Sequence, residues 1–268
     1  MRLDGHAHVF LKDLPMASNR RYTPVSDALP ETYFGLLSRH GLDGAVLVQP
    51  SFLGNDNSYL LDVLDKSQSD PNNLSVFGVC MTEPDVSIDE IQELKTRRII
   101  GVRLNYVKRE LPDLQSRRWQ SFIARIHESN WLLELHIEAD RLLSVLETLP
   151  PELNTVVDHF CLAGDENELA ELLSRALTFV CCDSLFVKTS APYRLPARGD
   201  GIANGALAQA LSKVLIDALG AKQVIWGSDW PFTQHERLQD FENCVLQGKQ
   251  WIAGKSKLLP GFPIHLLG

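Results

Sequence analysis

The chain has 268 residues, 44% hydrophobic and 22% charged, the composition of an ordinary soluble globular protein; such a length suits one α/β-barrel domain covering residues 1–268, since these barrels run to about 250 residues. A net charge of −8 lacks the basic footprint that phosphate contacts require, which excludes nucleic acid as a partner. No run approaches the roughly 18 apolar residues that cross a bilayer, which excludes the membrane.

The first residues run directly into a β-rich segment with no basic stretch, apolar core and cleavage site, so a cytoplasmic location is expected. Five cysteines, Cys80, Cys161, Cys181, Cys182 and Cys244, are odd in number and show no CxxC spacing. They read as small hydrophobes rather than as disulfides or zinc ligands.

Short β-rich apolar runs alternate with longer segments of helical period, the pattern of repeated βα units and a parallel sheet. Strands are predicted near 3–9, 44–49, 75–80, 100–105, 131–137, 153–158, 185–190 and 223–227. Helices lie between them, such as Pro30 to His40 with Gly41 as C-cap, and Ala203 to Leu219 closed by Gly220. For the seventh strand, Phe179-Val180-Cys181-Cys182 competes with Leu185-Phe186-Val187-Lys188. The stretch from Pro192 to Gly205 reads as a loop over a site. Eight strands, each followed by a helix, make a (β/α)8 TIM barrel, whose chemistry gathers where the strands end.

Polar residues do collect at those ends. In the first strand His6 and His8 must share a face, because strand side chains alternate. Two converging imidazoles can hold a metal, grip an oxyanion or pass a proton, although the pair alone would also suit a surface strand. The eighth strand, Val224-Ile225-Trp226-Gly227-Ser228-Asp229, delivers a carboxylate at its tip. Between them come Gln49-Pro50-Ser51, then Arg103, Asn105 and Arg109, then His136, Asp158-His159, Ser190 and Arg194. Taken singly, Arg103 reads as a solvated strand-end cation, Arg194 as a loop charge and His136 as a satisfied core histidine. Asp158, next to His159, is expected on the opposite barrel layer in a structural hydrogen bond or salt bridge.

The segments Asp4-Gly5-His6-Ala7-His8 and Trp226-Gly227-Ser228-Asp229-Trp230-Pro231, with His136 and His159, resemble the amidohydrolase superfamily. Val48 to Asn57, Gly101 to Asn105 and Val157 to Phe160 resemble its lactonase branch, that of 2-pyrone-4,6-dicarboxylate hydrolase. The resemblance implies hydrolysis of a small anionic lactone, with Asp229 taking a proton from water and His6, His8 and His159 around the attacked carbonyl. It further implies that Arg103, Arg109 and Arg194 hold substrate carboxylates and that Ser51, Tyr22 and His136 contribute to substrate binding. Guanidinium groups match carboxylates bidentately, so three of them imply a doubly or triply anionic substrate. The alternatives are a mononuclear-metal decarboxylase or other hydrolase of the superfamily, and a catalytically silent barrel.

Two departures qualify the resemblance. The strand-4 lysine that bridges two metals in many members is replaced by Arg103, so a binuclear centre is not expected. No metal is expected; the alternative is one divalent zinc on His6, His8, His136 and Asp229. Cys161 stands where the family pattern has glycine, and the segment to Glu168 is short, which alters the loop over the site.

Overall fold

The computed structural model describes residues 1–69, 73–196, 205–237, 239–252, 259 and 261–267. The predicted alternation holds throughout: β1 (Leu3–Ala7), α1 (Pro30–Arg39), β2 (Gly44–Val48), α2 (Ser58–Ser67), β3 (Ser75–Cys80), α3 (Ile88–Thr96), β4 (Ile99–Asn105) and α4 (Arg117–Glu128). They continue as β5 (Leu132–His136), α5 (Ala139–Leu146), β6 (Thr155–Val157), α6 (Glu166–Ala176), β7 (Leu185–Thr189), α7 (Gly205–Leu219), β8 (Val224–Trp226) and α8 (Phe241–Trp251). Each strand pairs in parallel with the next. The ring closes where Asp229 N donates to His6 O at 2.8 Å and His8 N to Trp230 O at 2.7 Å. The fold is a (β/α)8 barrel.

Local chemistry sets the helix limits. Ser87 and Glu90 form a reciprocal capping box before α3, Asp165 accepts from Asn167 N and Glu168 N before α6, and Pro30 occupies the first turn of α1. Past α1, Gly41 adopts a φ of 66°, the left-handed stop expected of it. In α4, Trp119, Phe122, Ile123 and Ile126 repeat at helical spacing and are buried, giving the apolar stripe that seats the helix on the sheet.

Two apolar layers result. One lies between strands and helices. The other fills the barrel with inward residues from every strand, including Leu3, Val79, Ile100, Leu132, Phe186 and Ile225, and is stoppered by Phe262 and Leu266. Beyond that plug the inward positions become polar, and two bulges aim them. Asp4 and Ala7 of β1 face Ala45 and Leu47, and Ile99 and Gly101 of β4 face Gly78 and Val79, so each strand carries one extra residue. The extra residue breaks the two-residue alternation; Leu3 and His6 both point inward, as do Ile100 and Arg103. Asp4, expelled from the barrel, accepts from Tyr33 Oη at 2.8 Å and from Ser228 N at 2.8 Å, tying β1 to the end of β8.

Leu185–Thr189 forms the seventh strand. The competing run, Phe179 to Cys182, connects α6 to it, with Cys181 N bonded to Pro151 O at 2.9 Å. The helix expected from Ala203 is described from Gly205 onward; residues 203–204, and 197–204 of the expected loop, lie outside the described residues. The five cysteines are free. Among the described residues no helix is long and apolar enough to cross a membrane.

Candidate active site

At the floor of the site, strands of opposite charge meet. Lys188 of β7, fully buried, donates to Glu134 of β5 and sits 3.0 Å from His6 Nδ1. Arg103 of β4 donates from Nη2 to Asp158 Oδ2 at 2.7 Å, and its Nε lies 3.3 Å from Glu134 Oε1. Asp158 Oδ1 is 3.2 Å from His6 Nδ1. Asp158 was expected on the opposite layer, and the structure corrects this: it follows the inward Val156 by two residues and points into the barrel. His159 is the residue that breaks the alternation. Its φ of 51° begins a left-handed turn through Phe160, Cys161 and Leu162, which returns the imidazole to the same side. Non-glycine residues adopt that conformation at a cost of about 1–2 kcal/mol each, and Cys161, at φ 57°, is the position where a glycine would avoid it.

Above the floor stands Asp229, fully buried, with its two oxygens in different surroundings. Oδ2 accepts from Tyr193 Oη at 2.7 Å and Arg194 Nε at 2.9 Å. Oδ1 has no hydrogen-bond partner and lies 3.5 Å from both His6 Nε2 and His8 Nε2. Such proximity depends on Gly227, where a Cβ would approach His6 Cβ to 2.7 Å. His8 Nδ1 contacts Val48 O at 2.7 Å; only an N–H can bond a carbonyl, so Nδ1 carries a proton and Nε2 faces Asp229 Oδ1. His159 Nδ1 is 2.8 Å from Ser190 Oγ, and its ring is 4.8 Å from that of His136 and 4.9 Å from that of His6.

These contacts set the charges. Burial by itself would raise the Asp229 carboxyl, yet the Arg194 guanidinium holds it well below the usual range. Burial likewise opposes ionisation of Asp158, and the positive charges of Arg103 and Lys188 overcome it. Glu134 is pushed up to about 7 by burial and by the Asp158 charge. Burial lowers His6, His136 and His159 well below the ordinary imidazole value, leaving neutral rings. Tyr193, raised by burial and by Asp229, remains a donor.

A cavity of about 520 Å³ opens above Asp229, within the range of small-molecule sites. Its walls include His8, His136, His159, Ser51, Arg103 and Arg194. Tyr22 is at the rim, donating to Glu236 Oε1 at 2.7 Å. His6 lies beneath, fully buried. Of the expected carboxylate clamps, Arg103 and Arg194 are already engaged by Asp158 and Asp229. Arg109 does not line the cavity and donates from Nη2 to Asn19 O at 3.0 Å. Gln49 holds its own loop through Gly54 O and Asp56 O. Sequence reasoning missed Glu134, Lys188, Tyr193 and Arg21. For the first two the signal was available: Leu132, Glu134 and His136, and Phe186, Lys188 and Ser190, are alternating inward positions.

The donor set fits one divalent ion. His6 Nε2 and Asp229 Oδ1 are buried without hydrogen-bond partners, His8 Nε2 is aimed at the same oxygen, and His6, His159 and Asp229 offer atoms within 4.8 Å of one another. His136 groups instead with Asp158 and His159, so the set centres on His159 rather than on the expected His136. Lys188 works against such an ion: by donating to His6 Nδ1 it keeps the ring proton on Nε2, and a ligating Nε2 would need Nδ1–H turned onto Asp158 Oδ1.

Comparison with known proteins agrees with this geometry. The amidohydrolase family pattern matches residues 3–247. The chain is 27% identical over 281 residues to the 4-sulfomuconolactone hydrolase of Rhizobium radiobacter, covering 99% of this chain and 89% of the relative. It is 28% identical over 253 residues to the 2-pyrone-4,6-dicarboxylate hydrolase of Comamonas testosteroni, covering 89% and 78%. A crystal structure from Acinetobacter baumannii, assigned as a probable 2-pyrone-4,6-dicarboxylic acid hydrolase with citric acid bound, superimposes with a TM-score of 0.88 at 30% identity and covers 100% of both chains. With a paired-histidine first strand and a strand-eight aspartate meeting at one mouth of the barrel, and the family pattern spanning nearly the whole length, the chain belongs to the amidohydrolase family.

Proposed function

We propose that the protein hydrolyses a small anionic lactone to the ring-opened acid, with Asp229 Oδ1 as the general base. The observation that carries this reading is the asymmetry of Asp229: Oδ2 is saturated by Tyr193 and Arg194, while Oδ1 stands bare beside two imidazoles at the base of a cavity. A carboxylate held ionised, with one oxygen unoccupied, is suited to removing a proton from water. His8 Nε2, 3.5 Å from Oδ1, stands beside that water and orients it.

Water gives its proton to Asp229 Oδ1 and its oxygen bonds to the lactone carbonyl carbon. The resulting oxyanion is met by Nε2–H of His6, the tautomer that Lys188 favours by donating to its Nδ1, with the His159 ring, held through Nδ1 to Ser190 Oγ, beside it. Collapse breaks the bond to the ring oxygen, which leaves with the proton from Asp229. If a divalent ion were held by His6, His8, His159 and Asp229, it would polarise the carbonyl and acidify the water.

The names of the relatives support the class: both curated relatives are lactone hydrolases of acidic substrates, and the structural neighbour holds a tricarboxylate. The test is a panel of carboxylated and uncharged lactones with acid release followed by a pH indicator. Turnover confined to carboxylated lactones is expected; turnover of uncharged lactones alone would refute the reading. The second reading, metal-dependent decarboxylation, is favoured by the bare donor set of His6 and Asp229 and would show as carbon dioxide release rather than net acid production.

A further inference from the structure

The cations near the reacting centre are neutralised within the protein. Lys188 faces Glu134, Arg103 faces Asp158, and Arg194 faces Asp229, each cation with an acidic partner. A polyanionic ligand therefore finds the cations of the floor already engaged. The surplus lies at the rim. Arg21, on the segment between β1 and α1, lines the cavity. Its Nη2 donates to Asn105 Oδ1 at 2.9 Å and its Nη1 to Val107 O at 2.5 Å, so the guanidinium plane is pinned to the end of β4. Among the described residues no carboxylate forms an ion pair with it.

Its surroundings are repulsive. Partial burial, and then the positive charges of Arg109, Arg103 and Arg194, lower its pKa, with Glu138 a lesser opposing influence. A cation held by two acceptors while three others push against it is a site that an anion would relieve. Arg109, expected to touch substrate, does not line the cavity; its bond to Asn19 O fixes the chain two residues before Arg21. Arg109 is thus a positioning residue.

Resting on the lactone reading, we infer that Arg21 is the specificity-determining residue that recognises a second anionic group on the substrate, remote from the carbonyl attacked above Asp229. The preferred ligand class is a small dianion whose second acidic group stands apart from the attacked carbonyl, and the guanidinium, already oriented, meets that outer group.

The test uses two inert probes, benzene-1,3-dicarboxylate and benzoate, titrated calorimetrically into the wild type, Arg21→Gln, Arg21→Lys and Arg109→Gln. The wild type is expected to bind the diacid roughly tenfold or more tightly than the monoacid, the scale of one charge-assisted contact. Arg21→Gln, which keeps a donor for Asn105, should abolish that preference and leave benzoate within about twofold, and Arg21→Lys should restore part of it. Equal affinity of the wild type for both probes, or parallel loss of both in Arg21→Gln, overturns the inference; a purely structural Arg21 produces the latter. Lactone turnover is scored separately. Diacid selectivity that follows Arg21 in a protein that opens no lactone would sink the hydrolase reading and leave this one standing.

Discussion

Replacing Arg194 by methionine separates two roles a guanidinium could have here. Its Nε lies 2.9 Å from Asp229 Oδ2, with the Arg194 side chain 16% exposed and that of Asp229 0%, while Nη2 is held by Thr233 Oγ1 at 3.0 Å. Methionine keeps the stem's packing and removes the charge, leaving Tyr193 as the donor to Oδ2. A hydrogen bond between charged groups at such a site is worth about 1.5–3 kcal/mol, which corresponds to roughly 1–2 pKa units. The direction follows from the base. Asp229 is depressed in the native enzyme, so it is ionised and active down to low pH; without Arg194 its pKa rises and protonation silences it at higher pH. The acid limb of kcat/KM against pH should move upward by about 1–2 units in Arg194→Met, with full activity recovered on the alkaline side. An acid limb that stays in place while KM alone rises would refute this reasoning and return Arg194 to direct substrate binding.

Two further outcomes follow. Lys188→Met removes the ammonium that Glu134 accepts from, leaving it Arg103 as its cation, and should destabilise the fold by up to roughly 3–5 kcal/mol, read as a lowered urea midpoint; the double variant Lys188→Met/Glu134→Gln should recover much of that loss, and a double variant no better than the single would show that the pair is not the source. Turnover is expected to survive prolonged chelation, because Lys188 holds His6 in the tautomer that donates from Nε2; loss of activity restored by one equivalent of zinc would assign the ion to His6, His8, His159 and Asp229 and make Asp229 a ligand as well as a base.

The barrel and most of its mouth were legible because periodicity carries them. Eight apolar runs with helical segments between them gave strands within a few residues of their limits, and the even spacing of His6 and His8 put both rings on Asp229. What escaped was set by departures from regular geometry. The bulges in β1 and β4 decide that Asp4 leaves the barrel while His6 and Arg103 enter it, and a one-residue insertion leaves no periodic trace. The left-handed turn at His159 keeps its ring at the mouth, as expected, while Asp158 also faces inward; the cysteine at position 161 marked a departure from a glycine pattern but did not announce that its own φ is left-handed. Glu134 and Lys188 were readable as polar residues at inward positions of apolar strands. Arg21 was not, because a loop has no period and only the folded chain brings it to Asn105.

The base assignment is tested most directly by acid release from 2-pyrone-4,6-dicarboxylate by the wild type and Asp229→Asn, alongside calorimetric binding of benzene-1,3-dicarboxylate to each. Asparagine preserves size and a hydrogen-bond acceptor but cannot take the proton. The expected result is turnover lower by about two to four orders of magnitude, the scale of a lost general base, with the inert diacid bound nearly as before. An Asp229→Asn enzyme that opens the lactone at the wild-type rate would contradict the account.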